Sequence, residues 1–184
     1  FQQASAQKLL KLDQNSGIIN LNSYVGVLKD TTSQYTIDSI VTSAVQKRFK
    51  LNKSATNNYG NGGTMWFKIY LNAEPGLYVL ELNNASVNIQ ELYQAKPEGG
   101  FKVTKKGTYK QRAIKSTSQL FKIQVNDKQP QVLYFRCFTQ KTLMLPIFIG
   151  TPTAFIEKNH QKDLLHGGYF GLMLIMILYN LFIF

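Results

Sequence analysis

The feature that most constrains this chain is a two-residue rhythm of apolar and polar side chains, repeated in short runs through its middle part. In "TMWFKIYLN" (64–72), Met65, Phe67, Ile69 and Leu71 alternate with Trp66, Lys68, Tyr70 and Asn72. Successive side chains of a strand point to opposite faces, so the rhythm describes a strand with one plainly apolar face. It recurs in "GIINLNSYVGVL" (17–28), "GLYVLELNN" (76–84), "VNIQELYQ" (87–94), "GGFKVTKKGTY" (99–109), "QLFKIQVND" (119–127) and "QVLYFRCFT" (131–139). In "LMLPIFIG" (143–150), Pro146 removes a backbone donor and predicts an edge or bulged strand. The turn "AEPG" (73–76) uses Pro75 to pre-set φ and Gly76 to permit a left-handed residue.

Short strands spaced at roughly ten residues argue for an antiparallel β-sandwich over a parallel α/β sheet. One segment departs from the rhythm. "TIDSIVTSAVQKRF" (36–49) repeats Ile37, Ile40, Val41, Ala44 and Val45 at helical spacing, with Thr36 or Asp38 able to cap it, and predicts one short helix. "NKSATNNYGNGGT" (52–64) has no periodicity and reads as a loop.

Charge and chemistry narrow the function. The chain carries +11, from 18 Lys and three Arg against 10 acidic residues. Nucleic-acid binders gather such groups on one face and favour Arg, whereas these lysines are scattered singly, so nucleic acid is not an expected partner. Lys105-Lys106 reads as loop. The single cysteine, Cys137, has apolar neighbours at strand spacing and reads as a small buried side chain. The two histidines, His160 and His166, lie just before an apolar stretch. No Cys/His spacing suits a metal, no Gly-rich loop precedes a helix, and a Glu81/Glu91 carboxylate pair is the only acid/base set within view. The expectation is a chain with no catalytic residues, no cofactor and no metal. Ligand contacts are expected at Trp66, Tyr93, Tyr109, Arg112 and Arg136, because aromatic faces stack on sugar rings or apolar ligands and guanidinium groups fork onto oxygens.

The stretch "GGYFGLMLIMILYNLFIF" (167–184) predicts a membrane helix of roughly 27 Å, close to the hydrocarbon thickness of a bilayer. Gly167 and Gly171 share one face of it, while Tyr169, Met173, Met176 and Asn180 share another. Gly167, Gly171 and Asn180 are therefore expected to pack against other membrane helices. Four regions follow: an N-terminal segment 1–16, whose "ASA" suits what remains after signal-peptide removal; a β-sandwich 17–156; a juxtamembrane connector 157–166; and a truncated membrane helix 167–184.

In order, "YTIDSI", "MWFKIYLN", "LYVLELNNASVNIQELY", "KGTYKQRAI", "LFKIQV", "VLYFRCF", "LPIFIGTPTAF" and the membrane stretch resemble one family. It is the second type of extracellular sensory domain of bacterial seven-transmembrane receptors with diverse intracellular signalling modules, with the start of the first membrane helix. The resemblance covers roughly residues 24 to 184 and implies an all-β, jelly-roll-like sandwich similar to carbohydrate-binding modules. It also implies a small-molecule or glycan ligand sensed in the periplasm, an inner-membrane anchor, and an output through a cytoplasmic histidine kinase or diguanylate cyclase module of the same chain, with homodimerisation left open. Arg112 and Arg136 match basic positions of the family pattern. The alternative is a membrane-anchored adhesion or scaffold sandwich without signalling.

Overall fold

The computed structural model describes residues 8–52, 58–84, 87–107 and 119–183. In chain order the strands are β1 (Leu9–Leu12), β2 (Ile19–Asn20), β3 (Gly26–Asp30), β4 (Lys50–Leu51), β5 (Asn58–Ala73), β6 (Gly76–Leu82), β7 (Ile89–Ala95), β8 (Phe101–Gly107), β9 (Gln119–Val125), β10 (Gln131–Met144) and β11 (Ile147–Gly150). The helices are α1 (Ile37–Ile40) and α2 (Ser43–Gln46), between β3 and β4, and α3 (Pro152–Ile183) after β11.

These strands form the expected antiparallel sandwich. The larger sheet has the order β4-β3-β5-β10-β7-β8, and the smaller one β2-β11-β6-β9. β1 adds to β5 in parallel, with Leu9 opposite Tyr70, beyond the stretch of β5 that β3 occupies. Between the sheets lies the apolar side of each alternating run. Met65, Phe67, Ile69 and Leu71 of β5, Leu133, Phe135 and Cys137 of β10, Tyr78, Leu80 and Leu82 of β6, and Phe121, Ile123 and Val125 of β9 make one buried cluster. Phe67 and Phe135 stack at 4.5 Å with ring planes 6° apart. Removing a large apolar side chain from water contributes about 1.5–3 kcal/mol, so this core dominates the stability of the domain.

Several boundaries differ from the sequence reading, each for a local reason. The run 17–28 is not one strand, because β2 joins the small sheet and β3 the large one. The N-terminal segment is not separate from the sandwich, since Leu10 and Leu12 of β1 are buried in its core. Part of the expected loop 52–64 is strand, because β5 begins at Asn58 and pairs there with the far end of β10. Lys105 and Lys106 belong to β8. Pro146 falls between β10 and β11 rather than inside a strand, and β11 has partners on both sides, β2 and β6, so it is no edge. The segment 36–49 forms two one-turn helices in place of one. Thr42 adopts extended backbone at the start of α2 and interrupts the run.

The largest difference lies in the connector. Residues 157–166 belong to α3, which begins at Pro152 and runs on without a break. Pro at the first helical position is favourable because its missing N–H would have no intrahelical partner there. Thr151 precedes it and its hydroxyl accepts from the Ala154 N–H at 3.3 Å. Phe155 is buried against the sandwich, and Lys158 bonds Glu81 of β6 at 3.3 Å while its ammonium lies over the rings of Phe148 and Phe155. From Leu164 onward α3 is mostly apolar and exposed, and the helix is long and apolar enough by length and composition to cross a membrane.

Candidate functional site

The side of the large sheet that faces away from the core should be polar in a simple sandwich, but here it holds a second apolar cluster. Leu28 of β3, Trp66 of β5, Tyr134 of β10 and Tyr93 of β7 are buried there with Ile40 of α1. The chain between β3 and β4 covers them. Asp30 starts that cover, its carboxylate accepting from the Thr32 hydroxyl and the Tyr35 N–H at 2.9 Å each. A reciprocal pair of bonds between Thr36 and Ser39 then caps α1. Gln46 fastens α2 to the sheet: its amide donates to the Ile40 carbonyl at 2.6 Å and the Tyr134 hydroxyl at 3.0 Å, and its oxygen accepts from Lys68 at 2.9 Å. The Lys68 ammonium also lies over Phe49 and Tyr70, at 4.9 and 5.0 Å from the ring centres.

Beside this cover, strand register sets out a row of side chains across five strands. Leu28 is opposite Trp66, Trp66 opposite Arg136, Arg136 opposite Glu91 and Glu91 opposite Lys105. Directly opposed residues of an antiparallel pair bring their Cβ atoms within about 5 Å, so the row is a contact chain. Glu91 sits between Arg136 and Lys105 with only 4% of its surface exposed. Its carboxylate accepts from Lys105 Nζ at 2.8 Å, from the Tyr93 hydroxyl at 2.7 Å and from Arg136 Nη1 at 3.2 Å. Burial pushes the Glu91 carboxyl up, and the bonds from Lys105, Tyr93 and Arg136 outweigh it and hold the group below the usual carboxylate range. Tyr93 moves the other way: burial and the neighbouring Glu91 push its phenol well up, so it remains a donor. The Arg136 guanidinium lies over the Trp66 ring at 5.9 Å, and Tyr93 packs on that ring at 5.4 Å.

Of the five expected ligand residues, Trp66, Tyr93 and Arg136 thus meet in one place. Tyr109 and Arg112 lie outside the described residues. Trp66 is wholly buried and Tyr93 nearly so, which closes both rings to stacking on a ligand from solution; Arg136, with 23% of its side chain exposed, and Lys105, with 59%, form the accessible part. Glu91 and Lys105 were not expected as site residues. Tyr93 stands two positions after Glu91, and that spacing in "VNIQELYQ" places both on one face of a strand. The suggested Glu81/Glu91 pair does not form across neighbouring strands, because β6 and β7 belong to different sheets and Glu81 pairs with Lys158.

A depression of about 310 Å³, open to solvent, lies away from this row at the end of β1 and β5, lined by Lys11, Asp13, Asn72, Glu74 and Lys128. Its charges are already paired in part, with Lys128 on Glu74 at 3.0 Å. On α3, Gly167 and Gly171 keep the separate face from Tyr169, Met173, Met176 and Asn180 that helical spacing requires. Cys137 is buried in the core, and burial pushes its thiol well up.

No curated protein matches the chain. The family model described as 7TMR-DISM extracellular 2 matches residues 22–151, the span from just before β3 to the residue that caps α3. That span contains both sheets' central strands, the helical cover and the whole Trp66–Arg136–Glu91–Lys105 row. The chain belongs to the 7TMR-DISM extracellular 2 family, as the exposed sensory domain of a membrane-anchored receptor.

Proposed function

We propose that this domain binds a small polar ligand, with a glycan as the leading class, on the outer face of the large sheet beside Arg136 and Lys105. The binding event is relayed through α3 to a cytoplasmic histidine kinase or diguanylate cyclase module of the same chain. In this reading the sandwich lies in the bacterial periplasm and α3 enters the inner membrane. The observation that carries it is the unbroken helix from the sandwich to the apolar segment: α3 is docked on the small sheet by Phe155 and Lys158 and is apolar from Leu164. A rotation or shift of that sheet is therefore delivered to the membrane with no flexible link between.

Ligand changes output only by preferring one arrangement of the two sheets over another, since equal affinity for both shifts nothing. A non-catalytic role is supported by the chemistry of the site. Glu91 is held ionised by three donors and Cys137 is sealed in the core with its thiol pushed up, so neither is poised as a base or nucleophile. The two polar or small-residue faces of α3 support packing against neighbouring helices on both sides, because an Asn180 facing bare lipid is unfavourable.

The test is calorimetric titration of the full chain in lipid nanodiscs with a panel of mono- and oligosaccharides. A saturable heat is expected from at least one of them and is expected to fall in Arg136→Lys. Absence of heat across the panel would overturn the glycan reading.

A further inference from the structure

The large sheet does not end evenly. β3 pairs with β5 only as far as Asp30 opposite Thr64, and β7 pairs with β10 only as far as Ile89 opposite Phe138. Past that line β5 and β10 run on as a two-stranded ribbon, 58–63 against 139–144, with two register shifts. The ribbon turns in beneath the sandwich, since Leu143 and Leu145 are both buried in the core between the sheets. Successive side chains of an extended segment point to opposite sides, so Met144, between those two leucines, points away from the core. It is 54% exposed, more than any other large apolar side chain described before α3. A lone apolar residue on a surface is ordinary. What sets Met144 apart is the direction in which it points.

That direction is the one in which α3 leaves. α3 starts beyond Gly150, at the far end of β11, and by Lys158 has come back to Phe148 of β11 and Glu81 of β6. It therefore runs antiparallel to β11 and departs past the end that Pro146 and the ribbon close. From Lys158 to Leu164 is six helical residues, about 9 Å. From Phe148 back to Met144 is four residues, a reach of at most roughly 13 Å when extended. The ribbon tip thus reaches the level at which α3 becomes apolar. The tip is also fixed to the strand that seats α3: the Asn84 amide donates to the Met144 carbonyl at 2.6 Å, and the Asn83 N–H donates to the Pro146 carbonyl at 3.0 Å. Lys141, on the same ribbon, is exposed and has no carboxylate partner among the described residues.

We infer that the ribbon tip is a second membrane contact of this domain, made with phospholipid headgroups. Met144 enters the headgroup layer beside α3, where an unbranched, adaptable side chain suits a disordered boundary. The Lys141 ammonium reaches lipid phosphate while its stem lies along the apolar part of the layer. The inference rests on α3 entering the membrane and is independent of where ligand binds. A domain held by one helix can rock about it. With a second contact the tilt is set, and a shift between the sheets acts on α3 instead of being lost in rocking.

Cys137 is buried, so a cysteine placed at the surface takes a fluorescent label by itself. Thr142→Cys, Leu77→Cys and Met176→Cys are labelled singly in the full chain, in nanodiscs of phosphatidylcholine and phosphatidylglycerol that carry nitroxide on the headgroup or on the acyl chain. Thr142 reports on the ribbon without altering Met144, Leu77 on the opposite end of β6, and Met176 on α3. Headgroup nitroxide is expected to quench the label at 142 and not that at 77, and acyl-chain nitroxide to quench the label at 176. Adding Met144→Glu should remove about half or more of the quenching at 142, and Lys141→Gln a smaller share. Equal quenching at 142 and 77 would overturn the inference, and so would quenching at 142 that Met144→Glu leaves unchanged. If the label at 176 also escapes quenching, the membrane reading of α3 falls with it. If 176 is quenched and 142 is not, the ribbon contact alone falls.

Discussion

Glu91 is the residue on which the outer-face site turns, because an ionised carboxylate so thoroughly buried survives only with its three donors in place. Replacing it with alanine sets Arg136 and Lys105 against each other over an apolar surface. Breaking a buried ion pair in this way costs about 3–5 kcal/mol, and the partial exposure of Lys105 places the expected loss at the lower end. Urea denaturation at pH 7 measures it. The pH dependence has a definite sign. The native pKa is depressed below the ordinary 4.5, so Glu91 contributes stability that is complete above that value and disappears as pH falls through the native pKa. Glu91→Gln is therefore expected to flatten the acid limb of stability against pH below about 4.5 relative to the unaltered protein. An unchanged acid limb would show that the three donors do not act on its charge. Cys137 makes a simpler case at the same scale. Buried, with its thiol pushed up, it should resist a disulfide reagent such as DTNB in the native state and react only at the rate of unfolding.

At the scale of elements, the β7–β8 hairpin and the helical cover decide whether the row stays in register. Gly107 ends β8 with φ +149°, and a Cβ there would lie 2.2 Å from the Asn88 carbonyl oxygen. That neighbour is backbone and cannot swing away, so Gly107→Ala should cost roughly 1–3 kcal/mol and loosen the pairing that presents Lys105 to Glu91. Thermal unfolding would register the loss, and faster amide exchange in β8 would localise it. The alternation that makes β5, β7, β9 and β10 half apolar was legible in the sequence because each strand buries one face in the same core. What it could not show was that the other face of β5 is buried too. Lys68 stands on the polar side of the alternation and is nevertheless buried, because α1 and α2 close over that side, and the contact depends on Gln46 meeting Tyr134 across 88 residues of chain. The same limit explains the site. Arg136 and Trp66 were chosen singly, on residue type, while Glu91 and Lys105 emerged only once register aligned β10, β7 and β8, since pairing between distant strands leaves no local trace. Boundaries at Thr42, Asn58 and Pro152 were missed because pairing or capping, not composition, places them.

For the whole molecule, the arrangement of ligand face and exit helix sets the mechanical problem. The row that would receive ligand is on the large sheet, whereas α3 is docked on the small one, so any coupling has to pass through the shared core, where Phe67 and Phe135 stack on each other in one buried cluster with residues of β6 and β9. A tightly packed interior transmits such a shift because it cannot absorb it by compressing. The last link is the seat of α3, where Phe155 is buried and Lys158 spans Glu81 and two aromatic rings. If that seat is what joins helix to sheet, weakening it should free the helix and leave the sandwich intact. Spin labels on Leu77, at the surface of β6, and on His166, along α3, measure the joint directly. A narrow distance distribution is expected for the unaltered seat and a broad one for Phe155→Ala with Lys158→Ala, with amide exchange in β6, β9 and β10 unchanged. Equal widths would mean that the helix is held elsewhere, and the relay from sheet to membrane would then need another contact to carry it.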